Sequence, residues 1–193
     1  MKTIRFGAKG PTVSQFGIGA MSFAGIYGDA TEADSHAVLA ACHAAGVSHI
    51  DTSNVYGAGR SEEIIGTWFA QNKGARDKML LATKAGITGQ PDRRFNNDHD
   101  YMADCLDASL SRMGVDHDDL FYAHRYDIRH SPEKLGGTLK ALLDSGKTRA
   151  VGLSEVAPAT LRRVASECPI AAVQSEYSLS TRAPELGDRK SVV

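Results

Sequence analysis

Four polar side chains that can handle a proton follow successive short apolar segments of the sequence: Asp51, Tyr56, Lys84 and His124. A phenol titrates at about pH 10, and we expect the lysine ammonium to favour the phenolate and lower that pKa. The carboxylate would keep the ammonium charged, and the imidazole would orient a substrate oxygen or relay a proton. The set therefore predicts a site that moves a proton to or from a carbonyl or alcohol oxygen.

Each of the four residues also has a purely structural interpretation. An aspartate at the end of a strand often forms a turn or caps a helix, and a tyrosine is often half-buried with its hydroxyl in water. A lysine can be solvated there, and a histidine can be a hydrogen-bonded core residue. For each residue alone we favour the structural interpretation by about three to one. Their occurrence at consecutive strand ends favours the functional one.

The elements predicted to position these residues alternate between short strands and helices. The predicted strands cover residues 17–21, 47–50, 79–83, 120–123, 149–153 and 171–174. The predicted helices cover residues 31–45, 61–71, 98–113, 132–145 and 158–167, and another begins at 182–186. A hairpin of residues 4–6 and 12–16, turning around Lys9 and Gly10, precedes them. This alternation predicts βα units and a parallel sheet.

Two α/β layouts fit the alternation, an open doubly wound sheet and a closed (β/α)8 TIM barrel. A barrel of this kind takes about 250 residues, whereas this chain has 193. We therefore predict an incomplete barrel with about six of the eight βα units. In either layout active sites collect at the carboxyl ends of the strands. Further polar or sulfur-containing residues predicted at these ends are Met21, Arg125, Ser154, Glu155 and Gln174.

Composition argues against several classes of function. The net charge is -1 and no basic stripe is present, so nucleic-acid binding and attachment to a membrane surface have no electrostatic support. The first residues alternate between apolar and polar types, which predicts neither a signal peptide nor a transmembrane segment. Cys42, Cys105 and Cys168 lie far apart without metal-type spacing. We expect reduced thiols in a cytoplasmic protein, with no metal site.

Six stretches of the sequence resemble the aldo-keto reductase family, from about residue 17 to about residue 186. They are "GIGAM" (17–21), "IDTSNVYGAGRSEEIIG" (50–66), "LATKAG" (81–86), "SLSRMGVDHDDLFYAHRYD" (109–127), "GKTRAVGLSE" (146–155) and "QSEYSLSTR" (174–182). Together they are highly specific, whereas one alone would be weak. The resemblance implies a (β/α)8 barrel closed at the bottom by an N-terminal hairpin. It also implies reduction of aldehydes and ketones with NADPH.

The resemblance implies a catalytic role for each of the four polar residues. Tyr56 would be the general acid in reduction and the base in oxidation. Lys84 and Asp51 would tune its pKa, and His124 would help to place the carbonyl of a small-molecule substrate. The hydride would come from the cofactor, so the protein would supply position and electrostatics.

The resemblance also implies a set of contacts to NADPH, from Met21, Asp51, Ser154, Glu155 and Gln174. Ser154 and Gln174 match positions that hydrogen-bond the nicotinamide carboxamide, and Glu155 stands where many members carry asparagine. The polar loop at residues 91–98 lies where the family's loops set substrate choice.

The resemblance stops within the predicted helix at residues 182–186. We predict a hairpin unit at residues 1–16, an incomplete barrel at 17–187 and a non-native tail at 188–193, because "DRKSVV" is one translation of a common sequencing-library adapter. By the resemblance, the aromatic ring that stacks on the nicotinamide and the basic residues that grip the adenosine phosphate lie beyond this point. We therefore expect this fragment to bind NADPH weakly or not at all, to turn over negligibly and to dissolve poorly.

Two other functions are compatible with the same residues. One is a non-catalytic binding or regulatory subunit on the same fold, against which the intact set of four argues. The other is a lyase that uses Lys84 as a Schiff-base nucleophile. Asp51 argues against the lyase because it would hold the lysine charged. The residues leave open the oligomeric state and the choice between NADP and NAD.

Overall fold

The computed structural model describes residues 1–6, 10–89 and 94–186. Lys9 of the predicted hairpin turn, residues 91–93 of the predicted substrate loop and the predicted tail at 188–193 lie outside them. Six parallel strands form one sheet in chain order and curl into a half-barrel, which confirms the predicted incomplete (β/α)8 fold. They are β3 (Ile18–Gly19), β4 (His49–Asp51), β5 (Leu80–Ala85), β6 (Leu120–Ala123), β7 (Val151–Ser154) and β8 (Ile170–Gln174).

Helices connect these strands, as the alternating pattern predicts. They are α1 (Glu32–Ala44), α2 (Arg60–Gln71), α3 (His99–Met113), α4 (Pro132–Asp144) and α5 (Pro158–Ala165), with the short α6 (Ala183–Leu186) after β8. Local sequence explains where they begin and end. Thr31 and Asp34 form a capping box at the start of α1, with hydrogen bonds of 3.1 and 3.2 Å. Gly114 ends α3 at a positive φ of 64°.

The predicted hairpin is present as β1 (Thr3–Arg5) and β2 (Thr12–Ser14), which pair antiparallel. It covers the amino ends of the barrel strands. Val13 packs in a buried cluster with residues that begin two strands, Leu80 of β5 and Leu120 of β6. Ser14 and Ser48 exchange backbone-to-hydroxyl hydrogen bonds of 2.9 Å just before β4. The hairpin therefore closes the bottom of the half-barrel, away from the carboxyl ends of the strands.

Strand β5 explains how a lysine comes to lie inside this fold. All six of its residues are buried, and successive side chains point to opposite faces. Leu81 and Ala85 pack in clusters with the helices. Leu80 and Ala82 instead pack in the interior cluster of the half-barrel. Lys84, two residues further along, shares their face and therefore projects into the interior.

Two predicted boundaries near the carboxyl ends were wrong. The first barrel strand does not reach Met21, because residues Ala20–Ala24 form a 3-10 helix that ends at Gly25 in a left-handed conformation. Strand β5 does not end before Lys84, because its pairing with β6 continues to Ala85. Lys84 is thus fixed by the sheet rather than by a loop.

Candidate active site

The innermost part of the candidate site is an ion pair between neighbouring strands. Asp51, the last residue of β4, is in register with Ala82 of β5. Lys84 lies two residues beyond Ala82 on the same face of β5. Its Nζ is 2.7 and 2.6 Å from the two carboxylate oxygens of Asp51. The Lys84 side chain is 0% exposed and that of Asp51 is 19% exposed. Burial lowers the pKa of Lys84, and Asp51 opposes this effect.

Tyr56 reaches the ion pair from the turn between β4 and α2. Its ring centroid is 5.3 Å from the Nζ of Lys84. The turn holds Gly57, Ala58 and Gly59 at φ values of 61°, 53° and 100°, a left-handed run that glycine favours. A Cβ at Gly57 would approach the Cβ of Ala24 to 3.0 Å. The turn is therefore tightly specified, and it directs Tyr56 back over the ends of β4 and β5.

The prediction that Lys84 lowers the pKa of Tyr56 was wrong. Burial raises the pKa of Tyr56 to about 12, with a further contribution from the charge of Asp51 and opposition from Arg125. The physical reason is that both carboxylate oxygens of Asp51 lie against the Lys84 ammonium and compensate its charge. Desolvation of the phenolate therefore dominates. Tyr56 is a neutral phenol at pH 7.

His124 follows β6 and is held by a residue that the sequence did not single out. Its Nδ1 lies 3.0 Å from Ser53 Oγ, and its ring meets that of Tyr56 edge to face at 5.9 Å. Ser53 Oγ also donates to the carbonyl of Lys84 at 3.1 Å. One buried serine thus ties the imidazole to the strand that carries the lysine. The sequence feature that could have indicated this role is the position of Ser53 two residues after Asp51, at the same strand end.

A cavity of about 410 Å³ lies where these side chains meet. Its described lining consists of Met21, Ile26, Val55, Tyr56, Ile87, Thr88, Gly89, His124 and Arg125. Three residues that the sequence placed at strand ends, Met21, Tyr56 and His124, thus share one wall. Arg125, for which the sequence predicted no role, lines it as well. The cavity is large enough for a small organic molecule.

The remaining predicted cofactor residues lie on the two following strands. Ser154 and Gln174 end β7 and β8 and are direct neighbours in register. Ser154 is buried, and its Oγ accepts a hydrogen bond of 3.1 Å from Arg125 Nη1. Glu155 has a positive φ of 54°, and its carboxylate accepts from the backbone N–H of Glu176 at 2.6 Å. Glu155 is thus engaged with the segment that follows β8, whereas Ser154 connects to the cavity through Arg125.

The two glutamates at the start of α2 differ in burial. The Glu62 side chain is fully buried, whereas that of Glu63 is exposed. Glu62 accepts a hydrogen bond of 2.5 Å from Thr83 Oγ1 and pairs with Arg112 Nη2 at 2.6 Å. This network ties α2 and α3 to the outer face of β5, directly behind Lys84. It thereby supports the strand that carries the lysine.

Neither a metal site nor a membrane span is found in the part of the chain that the structure describes. No group of three or more His, Cys, Asp or Glu residues there is arranged to hold a metal ion. No helix among the described residues is both long and apolar enough to cross a membrane.

Comparison with known proteins gives the family. The aldo/keto reductase family profile matches residues 15–188. The chain belongs to the aldo/keto reductase family. Among curated relatives, it is 41% identical over 186 residues to an aldo-keto reductase of Schizosaccharomyces pombe whose name specifies NADP(+), covering 93% of this chain and 54% of that protein. It is 37% identical over 185 residues to a probable aldo-keto reductase of Glycine max, covering 94% of this chain and 53% of that protein.

Solved structures of the family share the fold. The holo form of an aldo-keto reductase from Bacillus halodurans aligns with a TM-score of 0.85 and 25% identity, covering 96% of this chain and 61% of that chain. A glycerol dehydrogenase from Gluconobacter oxydans aligns with a TM-score of 0.84 and 26% identity, covering 95% of this chain and 57% of that one. This family member therefore spans about half the length of the curated relatives that it matches.

Proposed function

We propose that this chain carries the proton-transfer residues of an NADPH-dependent reductase, which converts an aldehyde or ketone into an alcohol. The observation that supports this most strongly is the Asp51–Lys84 pair, buried beside Tyr56 at a cavity that Tyr56 shares with His124. A carbonyl that becomes an alcohol must gain a proton on oxygen. The proposal assigns that proton to the Tyr56 hydroxyl.

The pKa of Tyr56 suits a donor. Because burial raises it to about 12, the phenol is protonated at neutral pH and can give its proton to a developing alkoxide. The phenolate left behind is anionic. Arg125, on the cavity wall, then stabilises it, since its charge is the one that lowers the pKa of Tyr56. The same pKa leaves little phenolate at neutral pH, so Tyr56 enters the reaction as a proton donor.

His124 positions the carbonyl in this proposal. Its imidazole is held by Ser53 on one side and lies edge-on to the ring of Tyr56. A carbonyl oxygen beside the edge of the imidazole would receive a hydrogen bond from the phenol, which aligns it for proton transfer. The apolar part of the wall, from Met21, Ile26 and Val55, would contact the hydrocarbon part of the substrate.

The residues at the ends of β7 and β8 fit a nicotinamide. The Ser154 hydroxyl and the Gln174 carboxamide sit side by side, and together they offer both donors and acceptors to a primary amide. The nicotinamide supplies the hydride when it is bound. The NADP(+) in the name of the yeast relative and the holo form of the Bacillus halodurans structure support this cofactor. It stays a prediction that Met21, Asp51 and Glu155 contact the cofactor. The cytoplasmic location also stays a prediction.

The test is transfer of deuteride from 4-deuterated NADPH to a panel of aldehydes, read as deuterium in the alcohol by mass spectrometry. This readout detects even a few turnovers. Tyr56→Phe should lower the rate by about 10²–10⁴-fold, whereas the matched control Tyr177→Phe, at an exposed position, should not. Full activity of Tyr56→Phe would overturn the proposal. Absence of deuterated alcohol with intact NADPH binding would favour a non-catalytic subunit, and borohydride trapping of a carbonyl compound on Lys84 would favour a lyase.

A further inference from the structure

Arg125 introduces a positive charge into the cavity that holds Tyr56 and His124. The other described lining residues are apolar or neutral, and none is acidic. The guanidinium acts on the site, since its charge opposes the rise in the pKa of Tyr56. The described part of the wall thus combines an apolar surface, a proton donor and the permanent charge of Arg125.

The charge of Arg125 is not compensated within the described part of the chain. No carboxylate there lies within 4.0 Å of its guanidinium, and two acids at these strand ends have other partners, Asp51 the Lys84 ammonium and Glu155 the backbone N–H of Glu176. Arg125 is half-buried, and its hydrogen bonds to described residues all use Nη1, to the carbonyl of His124 at 2.8 Å and to Ser154 Oγ at 3.1 Å. These two bonds fix the plane of the group. The Nε and Nη2 donors form no hydrogen bond with the described residues and could serve a ligand.

We propose that Arg125 binds a carboxylate of the substrate, so that the site prefers aldehydes or ketones that carry an acidic group over neutral ones of the same shape. An arginine fork that offers two N–H groups side by side matches the two oxygens of a carboxylate. The hydrocarbon body of such a substrate would pack against Met21, Ile26 and Val55. The proposal rests on the proposed function for the carbonyl, but its charge preference can be measured without reduction or cofactor.

The first measurement is therefore binding of benzoate and of benzamide, matched in shape, by titration calorimetry to the 193-residue chain without NADPH. The unmodified protein should bind benzoate about tenfold or more tightly than benzamide. Arg125→Met should abolish this preference, and Arg125→Lys should retain part of it. Salt should weaken the preference. Arg149→Met is the control, because Arg149 is 66% exposed and precedes β7 at the opposite end of the strands.

The second measurement is reduction of 4-carboxybenzaldehyde and of 4-formylbenzamide. Arg125→Met should lower the ratio of the two kcat/KM values, charged over neutral, by about tenfold or more. An equal loss on both substrates with a raised KM for NADPH would overturn the proposal and assign Arg125 to the anionic diphosphate of the cofactor. Equal binding of benzoate and benzamide by the unmodified, folded protein would also overturn it. If neither aldehyde is reduced although NADPH binds, the proposed function fails, and the calorimetry alone decides the role of Arg125.

Discussion

Lys84 donates hydrogen bonds to both carboxylate oxygens of Asp51 from a position where its own side chain has no solvent exposure. A buried ammonium is tolerated when its charge is compensated and its hydrogen bonds are made. The pair therefore does two things. It makes a lysine compatible with the interior of the half-barrel, and it cancels most of the field that the lysine would otherwise exert on Tyr56.

Asp51→Asn should destabilise the fold, because it leaves the Lys84 ammonium buried without a counter-charge. We expect a loss of about 3 kcal/mol in the free energy of unfolding, measured with urea. The double variant Asp51→Asn/Lys84→Met is the control. It should recover much of the loss, since the buried charge is then absent. If Asp51→Asn alone were as stable as the unmodified protein, water would have to reach the Lys84 ammonium.

Tyr56 should remain protonated well above the pH at which a free phenol ionises. Its folded pKa is about 12, against about 10 in an unfolded chain, so the folded protein holds this proton more tightly. The resulting stabilisation is fully present below about pH 10 and is lost as the pH rises through about 12. The ultraviolet difference titration between the unmodified protein and Tyr56→Phe measures this. Ionisation of Tyr56 below about pH 10 in the folded protein would restore the view that Lys84 lowers the pKa.

Glu62→Gln should destabilise the packing of α2 and α3 on β5. The amide retains the hydrogen bond from Thr83 but loses the charge that pairs with Arg112, so we expect a loss of about 1–3 kcal/mol in the free energy of unfolding. Glu63→Gln, at the next and exposed position, should change it by less than about 0.5 kcal/mol. Equal effects of the two variants would mean that Glu62 acts through the helix dipole alone.

The sheet has two edges, and they should limit the isolated chain. Within the described residues, β3 pairs only with β4 and β8 only with β7, so backbone donors and acceptors face outward on both outer strands. We predict self-association in light scattering, weak binding of NADPH in calorimetry and negligible turnover. A monomer that binds NADPH tightly would contradict this prediction.

Local pattern accounts for most of what the sequence predicted correctly. The order of strands and helices and the exact span of β6 depend on periodicity, which acts over a few residues. The same holds for the position of Asp51 and His124 at strand ends. Predicted strand boundaries were wrong where tertiary contacts decide them. Lys84, for example, belongs to β5 because the pairing of β5 with β6 continues to Ala85.

The sequence by itself thus determined the element order, the family and the side chains that meet at the carboxyl ends of the strands. Only the tertiary structure decided their environment: the raised pKa of Tyr56, the burial of Glu62, the contact of Ser53 with His124 and the position of Arg125 at the cavity. The physical reason is sequence separation. The Ser53–His124 contact joins residues 71 positions apart, and the Arg125–Ser154 contact joins residues 29 apart. Burial and charge compensation arise when such distant segments pack together, so local pattern does not contain them.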